Sequence, residues 1–268
     1  MTSTQKIIKY CAIAFAVFLI FSIIAGIASA LGIIGTAFVI NETDKSDLLN
    51  LSKDAKILDV DLNATNLSII VGSELKAETD NDNITITEEN NRLKIKEKKR
   101  SLFNQGANKN LTIYVPENLM FDGVIIDAGA GNIEINKLNS KNLYLDLGAG
   151  NVNISNALVS NKAEIDGGAG KLDINNGNLT NLDLDLGIGD VNLTAILLGR
   201  IDIDTGVGST ALNILGNKED YQIEVDKGIG KVTIDGSSIK DEYRYGTGTN
   251  KLDIDGGIGN IDIKFKTN

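Results

Sequence analysis

Residues 142–155 read NLYLDLGAGNVNIS, and the same arrangement returns at 162–175 as KAEIDGGAGKLDIN. Apolar and polar side chains alternate on both sides of a Gly-x-Gly step: Leu143, Leu145 and Leu147 precede it, Val152 and Ile154 follow. Alternation with period two marks strands. The apolar parity changes from odd to even across Gly148-Ala149-Gly150, so the backbone bends there and does not run straight through. The unit is two short strands and a corner.

Asp-x-Gly-x-Gly occurs seven times, opened by Asp127, Asp146, Asp166, Asp185, Asp204, Asp226 and Asp255 at intervals of 19, 20, 19, 19, 22 and 29 residues. The glycine pairs are Gly129 and Gly131, Gly148 and Gly150, Gly168 and Gly170, Gly187 and Gly189, Gly206 and Gly208, Gly228 and Gly230, and Gly257 and Gly259. A period near twenty is the mark of stacked structural units. It predicts an all-β chain built as a right-handed parallel β-helix, each coil covered only by its neighbours. The competing arrangement is an antiparallel meander with Gly-x-Gly hairpins, but tight hairpins prefer Asn-Gly or Asp-Gly between strands. The residue between the glycines is aliphatic in every unit and is expected to plug the inside of the corner. The glycines are expected to supply torsion angles that a side chain would penalise. The longest interval leaves room for a degenerate turn at Tyr245-Gly246-Thr247-Gly248, and Asn260 to Lys266 reads as the distal end, its lysines discouraging another strand.

Residues 57–115 escape the period but are still strand-like, separated by Asn- and Asp-rich turns; they read as an irregular β lead-in or cap before the repeat region, 116–268. RLKIKEKKR at 92–100 reads as an exposed strand with a charged edge. Residues 41–56 are a spacer. Before it, positions 11–40 carry no charge, which exceeds the ~20 residues a bilayer span needs. Lys6 and Lys9 on one side and Glu42 and Asp44 on the other favour a single-pass anchor in the cell membrane, with residues 1–40 as cytoplasmic tip and span and the C-terminal domain extracellular. A cleaved signal peptide ending at Ala28-Ser29-Ala30 is the rival reading.

Past position 41 the chain carries 24 basic against 36 acidic residues, a balance that repels nucleic acid. There is no histidine, and the one cysteine is Cys11. That removes the histidine-dependent triads and the common zinc sites, and it leaves the outer portion to gain its stability from packing, without disulfides.

Three readings of the aspartate row stay open. Asp is a turn former whose carboxylate accepts corner N–H groups. Stacked carboxylates also suit a hard cation such as calcium. Finally, paired carboxylates cleave glycans, but a catalytic pair is singular, whereas these seven are near-equivalent. The expectation is therefore no enzyme, no cofactor and no metal site. Gly-x-Gly here does not make a dinucleotide loop, because no helix follows it. Tyr243-Arg244-Tyr245 breaks the repeat with a composition favoured at interfaces; the same tyrosines also fit the inner face of a coil.

The stretch NLTIYVPENLMFDGVIIDAGAGNIEI at 110–135, followed by the ladder of Gly-x-Gly strands, resembles a bacterial family of β-strand-repeat domains of unknown function, also called "putative adhesin". Pro116 matches its step into the repeats, and Gly129 and Gly131 its first glycine pair. The resemblance spans roughly residues 55–265. It implies the fold and a membrane-tethered location, and it transfers no catalytic residue; a rigid acidic rod displayed outside a membrane is itself expected to contact a membrane protein or a surface glycan.

Overall fold

A computed structural model describes residues 47–50, 55–98, 109–239 and 242–267. The expected membrane span at 11–40 lies outside the described residues; among them, no helix is long and apolar enough to cross a membrane. The compact unit that contains them runs from Lys45 to Asn268, without a break at 116. Its described residues are all-β apart from one 3-10 turn at Lys218–Asp220.

The repeat units form a solenoid-like sheet by parallel pairing one period apart. Leu143, Leu145 and Asp146 lie beside Val124, Ile126 and Asp127 on one flank, and beside Ala163, Ile165 and Asp166 on the other. The second strands stack likewise, Val152 and Ile154 between Ile133–Ile135 and the 172–174 segment. A shorter third side forms where 138–140 pairs with 157–159, and 177–180 with 195–198. The alternating apolar residues all point inward, forming one core that runs from Ala55 to Ile263. A fully buried Leu or Ile contributes about 1.5–3 kcal/mol relative to exposure, and here neighbouring coils must be present to bury it.

Stacking order departs from sequence order at both ends. The Asp204 strand, Arg200–Val207, pairs with Asn250–Ile258, not with Tyr221–Asp226. Asn250–Ile258 then pairs with Tyr221–Asp226 on its far side. Ile261–Lys266 is likewise inserted between Thr210–Leu215 and Val232–Ile234. The expectation that residues 260–266 form the distal end is therefore corrected: they are interior, and the Lys264 ammonium bonds to Asp262 on the same strand. The 29-residue interval holds no extra coil. It holds two antiparallel strands, Ser237–Ile239 and Glu242–Tyr245, laid on the outermost coil.

The other end repeats this plan. Ile57–Leu62 lies between Phe121–Ala130 and Arg92–Glu97, and Asn66–Gly72 lies between Ile133–Ile135 and Asn110–Pro116. Residues 57–116 thus supply two further coils. Ile84–Glu89 and Lys76–Thr79 close them as antiparallel strands, with Asp47–Asn50 paired to the latter. Arg92–Glu97 is consequently covered and is not a free edge. Its cations face acids of the next coil, Arg92 at 2.9 Å and Lys94 at 3.7 Å from Asp59, with Lys96 on Asp61.

Candidate contact surface

The corner geometry explains both glycines, for different reasons. Gly150 has φ +145°, a conformation that side chains penalise. A Cβ there would also lie 1.8 Å from the Gly131 carbonyl oxygen. Gly148 has no such torsion, yet a Cβ on it would meet the Gly129 oxygen at 2.3 Å. The first glycine of each pair is needed for close stacking, and the second for stacking and torsion together.

The residue between the glycines does not plug the corner. None of Ala130, Ala149, Ala169, Ile188, Val207, Ile229 and Ile258 belongs to the core. Ala130, Ala149 and Ile229 are exposed and the rest half-buried. The inward place is taken by the residue before the first glycine, such as Ala128 or Leu186. The positive-φ glycine turns the chain just after this residue, whose side chain is left outside the buried core.

The aspartates stack in register as a row of eight. The order is Asp61, Asp127, Asp146, Asp166, Asp185, Asp204, Asp255, Asp226. Asp61 is hidden from the motif because Asn63 and Thr65 stand where later coils have glycine. Burial among neighbouring strands, then the adjacent carboxylates, push Asp127, Asp166, Asp204 and Asp255 above the usual carboxylate range.

Two residues before the row, a second acidic file on the same face runs Glu164, Asp183, Asp202, Asp253, Glu224. Cations neutralise this second file. Lys162 lies 2.6 Å from Glu164 and 3.7 Å from Asp183, Arg200 2.8 Å from Asp202, Lys251 3.3 Å from Asp253, and Arg244 2.8 Å from Glu224. Among the described residues, Asp127, Asp146, Asp166, Asp185 and Asp204 have no ion pair. Nor do described residues form a group of three His, Cys, Asp or Glu side chains fit to hold a metal.

The corner N–H groups do not go to the aspartate row. Just past each corner, side chains at the next position form their own ladder. Asn132 N–H donates to Asn66 Oδ1 at 3.0 Å, Asn151 N–H to Asn132 Oδ1 at 3.2 Å, and Lys171 N–H to Asn151 Oδ1 at 3.2 Å. Asp190 and Asn260 accept in the same way from Ser209 and Lys231. The signal was present in the sequence as Asn or Asp directly after the second glycine in four of the seven units.

At the Asp61 coil, Glu97 seals the corner. Its Oε2 accepts the N–H groups of Asn63, Ala64 and Thr65 at 2.8, 3.1 and 3.3 Å, and Oε1 accepts Asn81 Nδ2 at 3.0 Å. Burial alone would raise this carboxyl; the hydrogen bonds outweigh it and hold Glu97 below the usual carboxylate range.

Tyr243, Arg244 and Tyr245 lie together on the capping strand at the opposite end. The two tyrosine rings stack 6.4 Å apart and pack against the core, with the Lys218 ammonium 4.6 Å from the Tyr245 ring centre. Arg244 points outward, 2.8 Å from Glu224 and 2.7 Å from Glu242. The tyrosines thus take the inner-face place, half-buried against the core, and Arg244 is exposed.

No curated protein matches the chain. Among solved structures, it is similar to a "putative adhesin" of Bacteroides fragilis (14% identity, 84% of this chain and 98% of that one, TM-score 0.47). It is also similar to a "putative cell adhesion protein" of Clostridium sporogenes (19% identity, 83% and 99%, TM-score 0.33). The Toastrack DUF4097 family profile matches residues 50–264, and with most of its length inside that match the chain belongs to the Toastrack DUF4097 family.

Proposed function

We propose that this protein works by contact and not by catalysis, as an adhesin-like surface module. In this reading residues 11–40 anchor it in the cell membrane and the strand-repeat unit stands outside. The coil sense is right-handed, as strand twist favours for parallel crossovers. The observation that carries the reading is the uniformity of the acidic face. Eight aspartates repeat in one register row, and among the described residues of that row no carboxyl pair is set apart in the way an acid and a nucleophile must be. Calcium is not part of the proposal, and nucleic acid is disfavoured by charge. The presented Arg244 on its tyrosine base is the contact proposed at the capped end.

Proximity crosslinking on intact cells tests this, comparing the wild type with a variant in which Tyr243, Arg244 and Tyr245 are all changed to Ser. Capture of wall polymer or a foreign surface supports adhesion. Capture of one abundant membrane protein supports the alternative, a membrane scaffold or envelope-regulatory complex. Glycan cleavage by the purified chain, lost on removing one aspartate, would overturn both.

A further inference from the structure

The outward residues between the glycines form a continuous aliphatic ridge once the true stacking order is applied. In register they run Ala130, Ala149, Ala169, Ile188, Val207, Ile258, Ile229. The ridge is graded: three alanines at one end, four branched side chains at the other. Ile229, on the outermost coil, is 50% exposed. In sequence order Ile229 precedes Ile258, so only the folded chain shows Val207 leading to Ile258 and then to Ile229.

We propose that the branched half of this ridge, Ile188–Val207–Ile258–Ile229, is a docking strip for a basic amphipathic helix, with Asp204 and Asp255 beside it receiving the helix's Lys or Arg side chains. The inference rests on the contact reading above, and names a surface distinct from the Tyr243 cap.

Three features select this occupant. First, the neighbouring corner carboxylates are not matched by the protein's own cations, whereas the next acidic file is; a partner must bring positive charge to complement them. Second, the strip is aliphatic along its length, Ile229 exposed and Ile188, Val207 and Ile258 half-buried, so a hydrophilic polycation would leave it uncovered; a contiguous apolar patch rimmed by polar residues marks an interaction site. Third, the spacing suits a helix. Stacked strands repeat at about 4.8 Å, close to the pitch of about 5.4 Å that separates successive turns of an α-helix. Apolar residues at i, i+4 and i+7 therefore step one coil at a time, in the helix-in-groove manner. An extended partner, with about 6.7 Å between like-facing residues, drifts out of step sooner. The raised Asp204 and Asp255 carboxyls agree with this, since burial and mutual repulsion leave them short of a counter-charge.

The test uses the full chain in nanodiscs of zwitterionic lipid, titrated with a fluorescein-labelled 18-residue Leu/Lys peptide that carries one apolar stripe. Empty nanodiscs supply the baseline, and a scrambled peptide of the same composition has no stripe. The striped peptide is expected to bind at least tenfold more tightly than the scrambled one. Ile229→Ser should weaken it about tenfold, as should the double variant Asp204→Asn with Asp255→Asn. Arg244→Ser, at the exposed position of the cap, should leave it unchanged. Ile229 is on an exposed corner, so its variant should keep the wild-type thermal midpoint, which is measured alongside. Equal binding of both peptides shows a mere counterion effect and overturns the proposal. So does absence of binding, or binding indifferent to Ile229→Ser, or a wild-type dimer that Ile229→Ser converts to monomer. If the peptide fails while surface capture on cells persists, the ridge assignment falls and the contact reading stands. Glycan cleavage would remove the contact reading without bearing on the titration.

Discussion

Asp204 lies in register beside Asp255, 51 positions later, while Asp226, only 22 positions later, sits one coil further out. Disulfide trapping checks this order. Adjacent residues on paired strands have Cα separations within the range a disulfide tolerates. With Cys11 replaced by Ser, the pair Asp202→Cys and Asp253→Cys, which face each other, is expected to oxidise readily. The pair Asp202→Cys and Glu224→Cys is expected to stay reduced, and crosslinking of that second pair would restore sequence order.

Truncation follows from the same placement. Ending the chain at Thr249 removes a coil from between two others, not from an end, so it should abolish the cooperative melt of the C-terminal half. A thermal midpoint within a few degrees of the full chain would contradict the insertion.

At the corner, Gly150→Ala combines a penalised torsion with a clash against Gly131. It should cost on the order of 3 kcal/mol. Asp146→Asn, in the same turn, should cost less than about 1 kcal/mol, because no ion pair or corner bond depends on it. Denaturant titration of the two variants gives the comparison, and equal losses would refute the stacking role.

The pH dependence has two opposed parts. Asp127, Asp166, Asp204 and Asp255 are raised in the fold, so the folded chain takes up protons before the unfolded one and stability rises as pH falls towards the ordinary carboxylate range. Glu97 is lowered, so its contribution is present above its unfolded value and is lost as pH falls through the folded one. Maximum stability should therefore lie on the acid side of neutrality, with loss below it. Asp204→Asn should stabilise at pH 7 and shrink the rise on acidification. Glu97→Gln should cost about 1–3 kcal/mol at pH 7 by weakening the acceptor for three corner N–H groups, that of Thr65 buried, and should flatten the acid limb. Midpoints measured from pH 3 to 8 decide both.

Much of the fold was legible because burial enforces it. Leu143, Leu145, Val152 and Ile154 alternate as the core requires, and the glycine period follows from carbonyls stacking against the corner. Stacking order was not legible, since Tyr221–Asp226 and Asn250–Ile258 carry the same motif and either fits beside Asp204. Only the crossing lengths and the partner surfaces separate them, among them Tyr221, whose hydroxyl reaches the Leu197 carbonyl at 2.8 Å. Alternation misleads about Ala149, because it continues the inward parity of Leu143, Leu145 and Leu147 while the corner carries position 149 outside the buried core. Glu97 gave no local signal, its partners being 16 to 34 positions away.

The tucked first and last coils bear on how the molecule responds to load. A solenoid whose terminal coil lies at the end of the stack can be unzipped from that terminus, one ladder at a time. Here tension on the C-terminus is borne first by Ile261–Lys266, which is held along both edges, and then by Asn250–Ile258, held in the same way, so two ladders must yield in shear before the first coil leaves. On the N-terminal side Asp47–Asn50 is held by a single ladder, and the next strand, Ile57–Leu62, is again held between two strands. Such a chain should hold under pulling until it fails in one large step, the behaviour of a rivet and not of a zipper.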